Sequence, residues 1–444
     1  MRIDRPSING QIRVPGDKSI SHRALIFSLL TAGTSKITGL SPAQDCVSSI
    51  DCLSQFGLTI ESEVNGGAIS SPNSTSTQNT IVLTSPGLFG LKSPKSPLFA
   101  GNSGTTMRLL AGAAAGQAFI TCFDGDESLS KRPMLRVLEP LMQMGAQVNW
   151  AGSMGYAPFA ITGGNLKGID YHIPTASAQV QTALLLAGLQ SSGQTVISVT
   201  GSVRDHTVRL FRYIGVPHEA SADGTSIAVT QLIKPLPPFQ VDVPADISSC
   251  AFFMVAAVLL PGSAVHLMDV GINPGRRLVI DVLKSMGADI VLKNMREVAG
   301  EPVADIVAKW SGRLCGATIG GEEIASGIDE VPILALAGAL CQGQFSVSGA
   351  SELKVKESDR LTAIVGNLKG AGAKIIQLED GFEIEGQETL AGGSHWQSFS
   401  DHRLAMTGFI ANLISKKPIV VDDVDCVAIS YPSFQNDLNR LLSG

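Results

Sequence analysis

An apolar helix running into a turn and then a strand recurs six times along this chain of 444 residues, and that repetition restricts the fold more than any other feature. The copies read HRALIFSLLTAGTSKI, TTMRLLAGAAAGQAFI, VQTALLLAGLQSSGQTVI, AFFMVAAVLLPGSAVHL, PILALAGALCQGQFSV and HRLAMTGFIANLISKKPIVV. A second helix alternates with them and ends in glycine before another strand, as in IDCLSQFGLTI, VLEPLMQMGAQV, LFRYIGVPHEA, VIDVLKSMGADIVL and IVGNLKGAGAKI. A truncated sixth, FQNDLNRLLSG, closes the chain. Helices that are apolar nearly all round must be buried on every side, so each is expected inside a ring of sheets. The fold class is therefore α/β, with six βαβαββ units divided as two lobes of three.

The last copy lacks its closing strands. Residues 1–14, read as strand, turn, strand, are the expected donor, which would bring both termini into one lobe. Prolines in IKPLPPFQV, near residues 233–241, interrupt helix and sheet pairing and mark the interior linker. A second crossing is expected near Val14 and Pro15. These boundaries give a discontinuous lobe, 1–14 with 238–444, and a continuous one, 15–237, with a ligand cleft between them suited to closure. The polar run from Glu61 to Thr80 reads as an exposed hairpin without chemistry.

Composition narrows the function. The net charge of −6 and an aromatic content of 5% argue against a nucleic-acid partner. The longest apolar stretch, Ala251 to Leu260, is too short to span a bilayer, and the amino terminus lacks a basic-then-apolar signal, so a cytoplasmic protein is expected. Seven cysteines without a CxxC pair fit neither a disulfide framework nor a zinc site, and no metal is expected. An anionic ligand would need a local basic cluster.

Such clusters stand at the repeat's helix starts. PGDKSISHRAL places Lys18 and Ser19 where free backbone N–H groups favour an anion, with Arg23 four residues on. An ordinary Asp17 or Ser19 cap with solvated charges is the alternative. GNSGTTMRLL opens the second unit with Asn102, Gly104 and Thr105, and its glycines would let a ligand approach the backbone. Arg132 lies in the loop SKRPM. The third unit opens with Ser177, Ala178 and Gln179, and Arg204 precedes the next helix, where a pair with Asp205 is an equal alternative. The fourth, ADISSCAFF, offers no basic group. Asp329, before the fifth buried helix, could cap it or accept a proton. KVKESDRL puts Lys356 and Arg360 four apart on one helical face, where like charges repel and a bound anion, Glu357 or Asp359 must compensate. SDHRLAM opens the sixth unit with Asp401, His402 and Arg403. Recurrence of cationic and hydrogen-bonding groups at equivalent helix starts is harder to explain as capping than any one of them.

The strings PGDKSISHR, GNSGTTMR, KRPM, ASAQVQTALLLAGL, RDHT, IDE, KVKESDRL and DHRLAM, in order from Pro15 to about Pro432, closely resemble the 5-enolpyruvylshikimate-3-phosphate synthase family. That resemblance implies two lobes of three βαβαββ units, and transfer of the enolpyruvyl group of phosphoenolpyruvate to the 5-hydroxyl of shikimate 3-phosphate without metal or organic cofactor. It implies that Lys18, Ser19, Arg23, Ser177, Ala178, Gln179, Arg204, Asp329 and Lys356 hold shikimate 3-phosphate. Lys18, Gly104, Arg132, Gln179, Glu357, Arg360 and Arg403 would surround phosphoenolpyruvate, with Asn102, Thr105 and His402 supporting. Asp329 is the implied base for the hydroxyl, and Glu357 and Lys18 the candidates for proton delivery. A monomer is expected.

The related UDP-N-acetylglucosamine enolpyruvyl transferases carry a cysteine just before their Arg-Pro, and DESLSKRP has none. A non-catalytic anion clamp would need neither Asp329 nor Glu357. Ile429, where many members carry lysine, together with SAQ and Arg204, resembles the family's second, often glyphosate-tolerant class. Tolerance there is tied to an alanine where this chain has Gly104, so inhibition by glyphosate is expected.

Overall fold

The computed structural model describes residues 6–63, 80–201 and 203–443. The hairpin expected at 61–80 falls largely outside these, with only its ends inside, in the strands Thr59–Glu63 and Thr80–Pro86.

The six apolar helices are Lys18–Phe27, Gly104–Ala115, Ala178–Gly188, Ile247–Leu259, Val331–Ala339 and His402–Ile414. All nine residues of Val331–Ala339 are buried, as an all-round apolar sequence demands. The chain divides into two compact units. One comprises residues 1–15, 244–297 and 302–444, and the other 16–243 and 298–301. Each contains three of the buried helices and three sheets, and each has one continuous hydrophobic core. In the second unit, buried helices approach so closely at Gly112 that a Cβ there would lie 2.0 Å from the Ala183 carbonyl oxygen.

Among the described residues five of the six sheets have four strands in one pattern. The strand after the buried helix pairs parallel with one neighbour and antiparallel with the other, which carries the outer strand. In the second sheet, Ile120–Asp124 lies parallel to Leu98–Phe99 and antiparallel to Phe159–Thr162, with Gln147–Trp150 outermost. The parallel partner precedes the buried helix in sequence, so strand, helix and strand form a crossover.

Two sheets break this rule, and the exception corrects the expectation for the amino terminus. Asn9–Ile12, which precedes the first buried helix, pairs parallel with Ala264–Gly271 of the fourth repeat. Gln240–Asp242, which precedes the fourth buried helix, pairs parallel with Ala32–Thr38 of the first. Each strand ahead of a crossing stays in the unit the chain is leaving. The amino-terminal strand therefore completes the fourth sheet, whose own candidate is already used, and not the sixth. The sixth sheet, His395–Trp396 with Val420–Val421, has two strands among the described residues. The carboxyl-terminal helix Phe434–Leu442 nevertheless meets the amino-terminal strand, where Arg440 Nη2 donates to the Gln11 carbonyl at 3.4 Å. The first half of the proposed strand-turn-strand, residues 1–5, lies outside the described residues.

The proline-rich stretch at 233–241 is bonded along the first sheet. Ala32 N donates to Leu236 O at 3.1 Å, and Lys36 N to Phe239 O at 2.9 Å. The division between units falls after Val243. At the other crossing, Gly16 is required because a Cβ would sit 1.9 Å from the Gly39 carbonyl oxygen. This fixes the backbone two residues before Lys18.

Candidate active site

In the second unit, the helix starts carry the groups picked out from sequence. Asp17 caps Lys18–Phe27 by accepting from Ile20 N. Lys18 Nζ lies 3.0 Å from Asp45 Oδ2, on the first turn of Gln44–Gln55. Arg23 is buried and points back along the helix, as long helical side chains do. Its Nη1 donates to Ser19 O at 2.9 Å, its Nε to Thr207 Oγ1 at 2.8 Å and its Nη2 to Thr182 Oγ1 at 3.2 Å.

Ser103 caps Gly104–Ala115, so that helix begins at Gly104. Ser177 caps Ala178–Gly188, leaving Ala178 and Gln179 as its first two residues. Arg132 Nη2 donates to Asn102 Oδ1 at 2.7 Å, and Asn102 Nδ2 donates to Asp126 Oδ2. Gln179 bridges two further groups: its Nε2 donates to Thr105 Oγ1 at 2.8 Å and its Oε1 accepts from Arg108 Nη1 at 2.8 Å. Arg204 is half-buried just ahead of the helix His206–Ile214, while Asp205 pairs with Arg209 Nε at 2.8 Å. Lys131 is exposed on Glu127 and takes no part.

Arg108 escaped the sequence reading. Among the described residues its hydrogen-bond acceptors are neutral, Gln179 Oε1 and the Pro133 carbonyl, and so are those of Arg132, which belong to Asn102 and Ser128. Burial, helped by the neighbouring Arg136 and Arg132, lowers the Arg108 guanidinium to about 10. Two neighbouring half-buried guanidinium groups without a carboxylate acceptor among the described residues suit a bound anion. The signal was available: a single arginine one turn into the otherwise uncharged helix Gly104–Ala115.

Beneath this cluster runs a buried polar chain. His22 Nδ1 lies 2.8 Å from Ser49 Oγ, Ser49 Oγ lies 2.7 Å from Thr106 Oγ1, and Thr106 Oγ1 donates to the capping Ser103 Oγ at 2.7 Å. Burial is the main cause that lowers His22 from 6.5 to about 4, so the ring is neutral at neutral pH. Its folded value lies below its unfolded one, so the unfolded chain takes up the extra proton first. This contribution to stability, about 3 kcal/mol, is present above pH ~6.5 and is lost as pH falls toward ~4. Urea denaturation of wild type and His22→Asn should show a shallower acid-side fall in the variant. Parallel curves would contradict this.

In the first unit, a mixed cluster forms around Arg360. Here the sequence expectation is corrected: Lys356 does not share a helical face with Arg360. Lys356 has extended backbone after the 3-10 turn Ser351–Val355, and the helix starts only at Arg360. Asp359 caps that helix by accepting from Thr362 N, while Glu357 compensates Arg360. Arg360 is 1% exposed, with Nε 2.7 Å from Asp401 Oδ2, Nη2 2.6 Å from Glu357 Oε2 and Nη1 3.1 Å from Asp329 Oδ1. Burial alone would lower its pKa, but Asp401, Glu357 and Asp329 outweigh burial and raise it.

Asp329 makes no cap to Val331–Ala339; its carboxylate sits between Arg360 and Lys356 Nζ, at 3.1 and 3.6 Å. Asp401 also caps His402–Ile414 through Arg403 N at 2.9 Å, which buries His402 at the helix start. Arg403 is held differently from Arg360. Its Nη1 donates to the Asp329 carbonyl at 3.2 Å and stands 3.7 Å from Glu330 Oε1, while its Nε and Nη2 make no hydrogen bond among the described residues.

The fourth repeat supplies a basic group after all. Asp246 caps Ile247–Leu259, and Arg276 Nη2 donates to Ser248 Oγ at 2.6 Å and lies 3.4 Å from Asp246 Oδ1. Repeat register could have found it, because Arg276 follows the second strand of its repeat just as Arg132 and Arg204 do. Among the described residues no group of three or more His, Cys, Asp or Glu could hold a metal, and no helix is long and apolar enough to cross a membrane.

The six-repeat fold is that of the enolpyruvyl transferases. The chain superposes on the enolpyruvyl transferase NikO from Streptomyces tendae with a TM-score of 0.77 over 98% of this chain and 95% of that one, a likeness of fold at 16% identity. A nearer match is EPSP synthase from Acinetobacter baumannii, with a TM-score of 0.86 and 40% identity over 98% and 96% of the two chains. Residues 4–438 match the family described as EPSP synthase (3-phosphoshikimate 1-carboxyvinyltransferase), and the chain belongs to that family. The 3-phosphoshikimate 1-carboxyvinyltransferase of Oceanobacillus iheyensis is 44% identical over 98% of this chain and 97% of its own. That of Bacillus subtilis is 41% identical over 98% and 97%.

Proposed function

We propose that this chain transfers the carboxyvinyl group of phosphoenolpyruvate to the 5-hydroxyl of shikimate 3-phosphate and releases phosphate. Family membership across residues 4–438 carries this reading. The pair of arginines with neutral acceptors, Arg108 and Arg132, supports a multiply charged anionic substrate. The carboxylates Asp329 and Glu357 beside Lys356 and Arg360 support proton transfer, which an anion clamp would not need.

In the proposed reaction the 5-hydroxyl oxygen attacks C2 of phosphoenolpyruvate as Asp329 takes its proton. The C3 methylene gains a proton from Glu357 or Lys18, which gives a tetrahedral intermediate. Loss of a C3 proton and departure of phosphate then complete the exchange. Groups so placed contribute roughly 10²–10⁴ each. Arg132 and Arg403 offset charge on the leaving phosphate, and Arg360 holds the carboxylates in register. Shikimate 3-phosphate would be held by Lys18, Ser19, Arg23, Ser177, Ala178, Gln179, Arg204 and Lys356. Gly104 would let phosphoenolpyruvate approach the backbone. A cytoplasmic monomer is the proposed state.

Phosphate release from the two substrates together tests the reaction, and none from folded protein would sink it. Release with UDP-N-acetylglucosamine in place of shikimate 3-phosphate would favour the rival transferase. Glyphosate should inhibit in competition with phosphoenolpyruvate. A Cβ at Gly104 would lie 2.6 Å from Arg108 Nη1, so Gly104→Ala must move the guanidinium from Gln179 and should weaken both ligands. Insensitivity of the unaltered protein to millimolar glyphosate would refute this expectation.

A further inference from the structure

Arg403 and Arg360 enter the same cluster on opposite terms. Four N–H groups of Arg360 point at three carboxylates, whereas Arg403 keeps Nε and Nη2 without partners among the described residues. An arginine with uncommitted donors can bind an anion, but only if something fixes its direction. That role falls to Glu330, which is 1% exposed and adjacent to Asp329 in a 3-10 turn. Successive residues there send their carboxylates to different cations: Asp329 to Arg360 and Lys356, Glu330 toward Arg403.

Glu330 is itself held from behind. Its Oε1 accepts a short hydrogen bond from the Ser248 hydroxyl, and Ser248 accepts from Arg276 Nη2 at 2.6 Å. Arg276 is 3% exposed and Ser248 2%. Two of these groups come from the fourth repeat and two from the fifth and sixth, so the chain Arg276, Ser248, Glu330, Arg403 ties three helix starts of one unit together. Glu330 Oε2 has no hydrogen-bond partner among the described residues, and the 3.7 Å from Glu330 Oε1 to Arg403 exceeds hydrogen-bond length. The carboxylate thus balances the arginine's charge without occupying its donors.

We propose that Glu330, anchored through Ser248 to Arg276, is a positioning residue that aims the Arg403 guanidinium at the anionic end of phosphoenolpyruvate. This rests on the reading that Arg403 binds that substrate. Charge and geometry predict opposite signs on removing the carboxylate. If Glu330 acted only as a nearby negative charge, Glu330→Gln would make the site more positive and lower the KM for phosphoenolpyruvate. If it aims Arg403, the same variant loosens the guanidinium and raises that KM.

Steady-state kinetics on folded Glu330→Gln, Arg276→Gln and Ser248→Ala, with Arg403→Gln as control, decides the matter. Expected is a rise of about tenfold in KM for phosphoenolpyruvate in Glu330→Gln, with that for shikimate 3-phosphate within about twofold. Arg276→Gln should raise it in the same direction, and the double variant should be no worse than the worse single one, as members of one chain behave. Ser248→Ala breaks the link with the least disturbance and serves if a larger change prevents folding. A lowered or unchanged KM for phosphoenolpyruvate, or an equal rise for both substrates, overturns the proposal when Arg403→Gln alone impairs phosphoenolpyruvate binding. If Arg403→Gln leaves that binding intact, the underlying reading fails instead.

Discussion

Replacing Arg360 by methionine should lower stability by about 3–5 kcal/mol at neutral pH, because removing one member of a buried ion cluster strands the others. The three carboxylates would not suffer equally. Asp329 keeps Lys356 at 3.6 Å, and Glu357 is 24% exposed and can turn to water. Asp401 is fully buried and, among the described residues, its carboxylate retains only Ser358 Oγ at 3.2 Å and Arg403 N at 2.9 Å. Most of the cost therefore falls on Asp401.

The pH dependence follows from the same argument. In the variant, a stranded carboxylate has its folded pKa raised above the unfolded one, so protonation favours the native state. The deficit relative to wild type should be largest at neutral pH and shrink as pH falls toward ~4. Urea midpoints of both proteins across this range provide the measurement. A deficit under about 1 kcal/mol, or one independent of pH, would mean that Arg360 is not the centre of the cluster.

Asp329→Asn is expected to reduce kcat by roughly 10²–10⁴ while leaving substrate affinity within about tenfold, since the amide keeps the shape but cannot take the hydroxyl proton. Asparagine still accepts from Arg360 Nη1, so the cluster survives with one fewer charge. Glu357→Gln should act on the other proton, slowing exchange at the methylene carbon and lowering the yield of trapped tetrahedral intermediate. Rapid-quench trapping with both variants distinguishes the roles. Full turnover in Asp329→Asn would make Asp329 a ligand only.

Much of this architecture was legible without coordinates. All six buried helices follow from apolar sequence with no polar stripe, because a helix such as Val331–Ala339 has no face it can leave in water. Helix starts were equally local: Asp17, Ser103, Ser177, Asp246 and Asp401 each cap through a side chain, as their residue types favour. Lys18, Gly104, Gln179 and Arg403 could be picked out because they stand within two residues of those caps.

Tertiary structure decided what depends on partners distant in sequence. Strand exchange between Asn9–Ile12 and Gln240–Asp242 was invisible because both strands suit either sheet locally, and which edge is vacant is settled only when the repeats assemble. The helical spacing of Lys356 and Arg360 failed because Lys356 is extended ahead of a helix that starts only at Arg360, whose guanidinium is held by the sequence-distant Asp329 and Asp401 as well as by the local Glu357. Arg108, Arg276 and Glu330 found their partners only in the folded chain: a charged side chain at a buried position shows that a partner exists, but not which one. Periodicity records how deeply a residue is buried, and only the folded chain specifies what it is buried against.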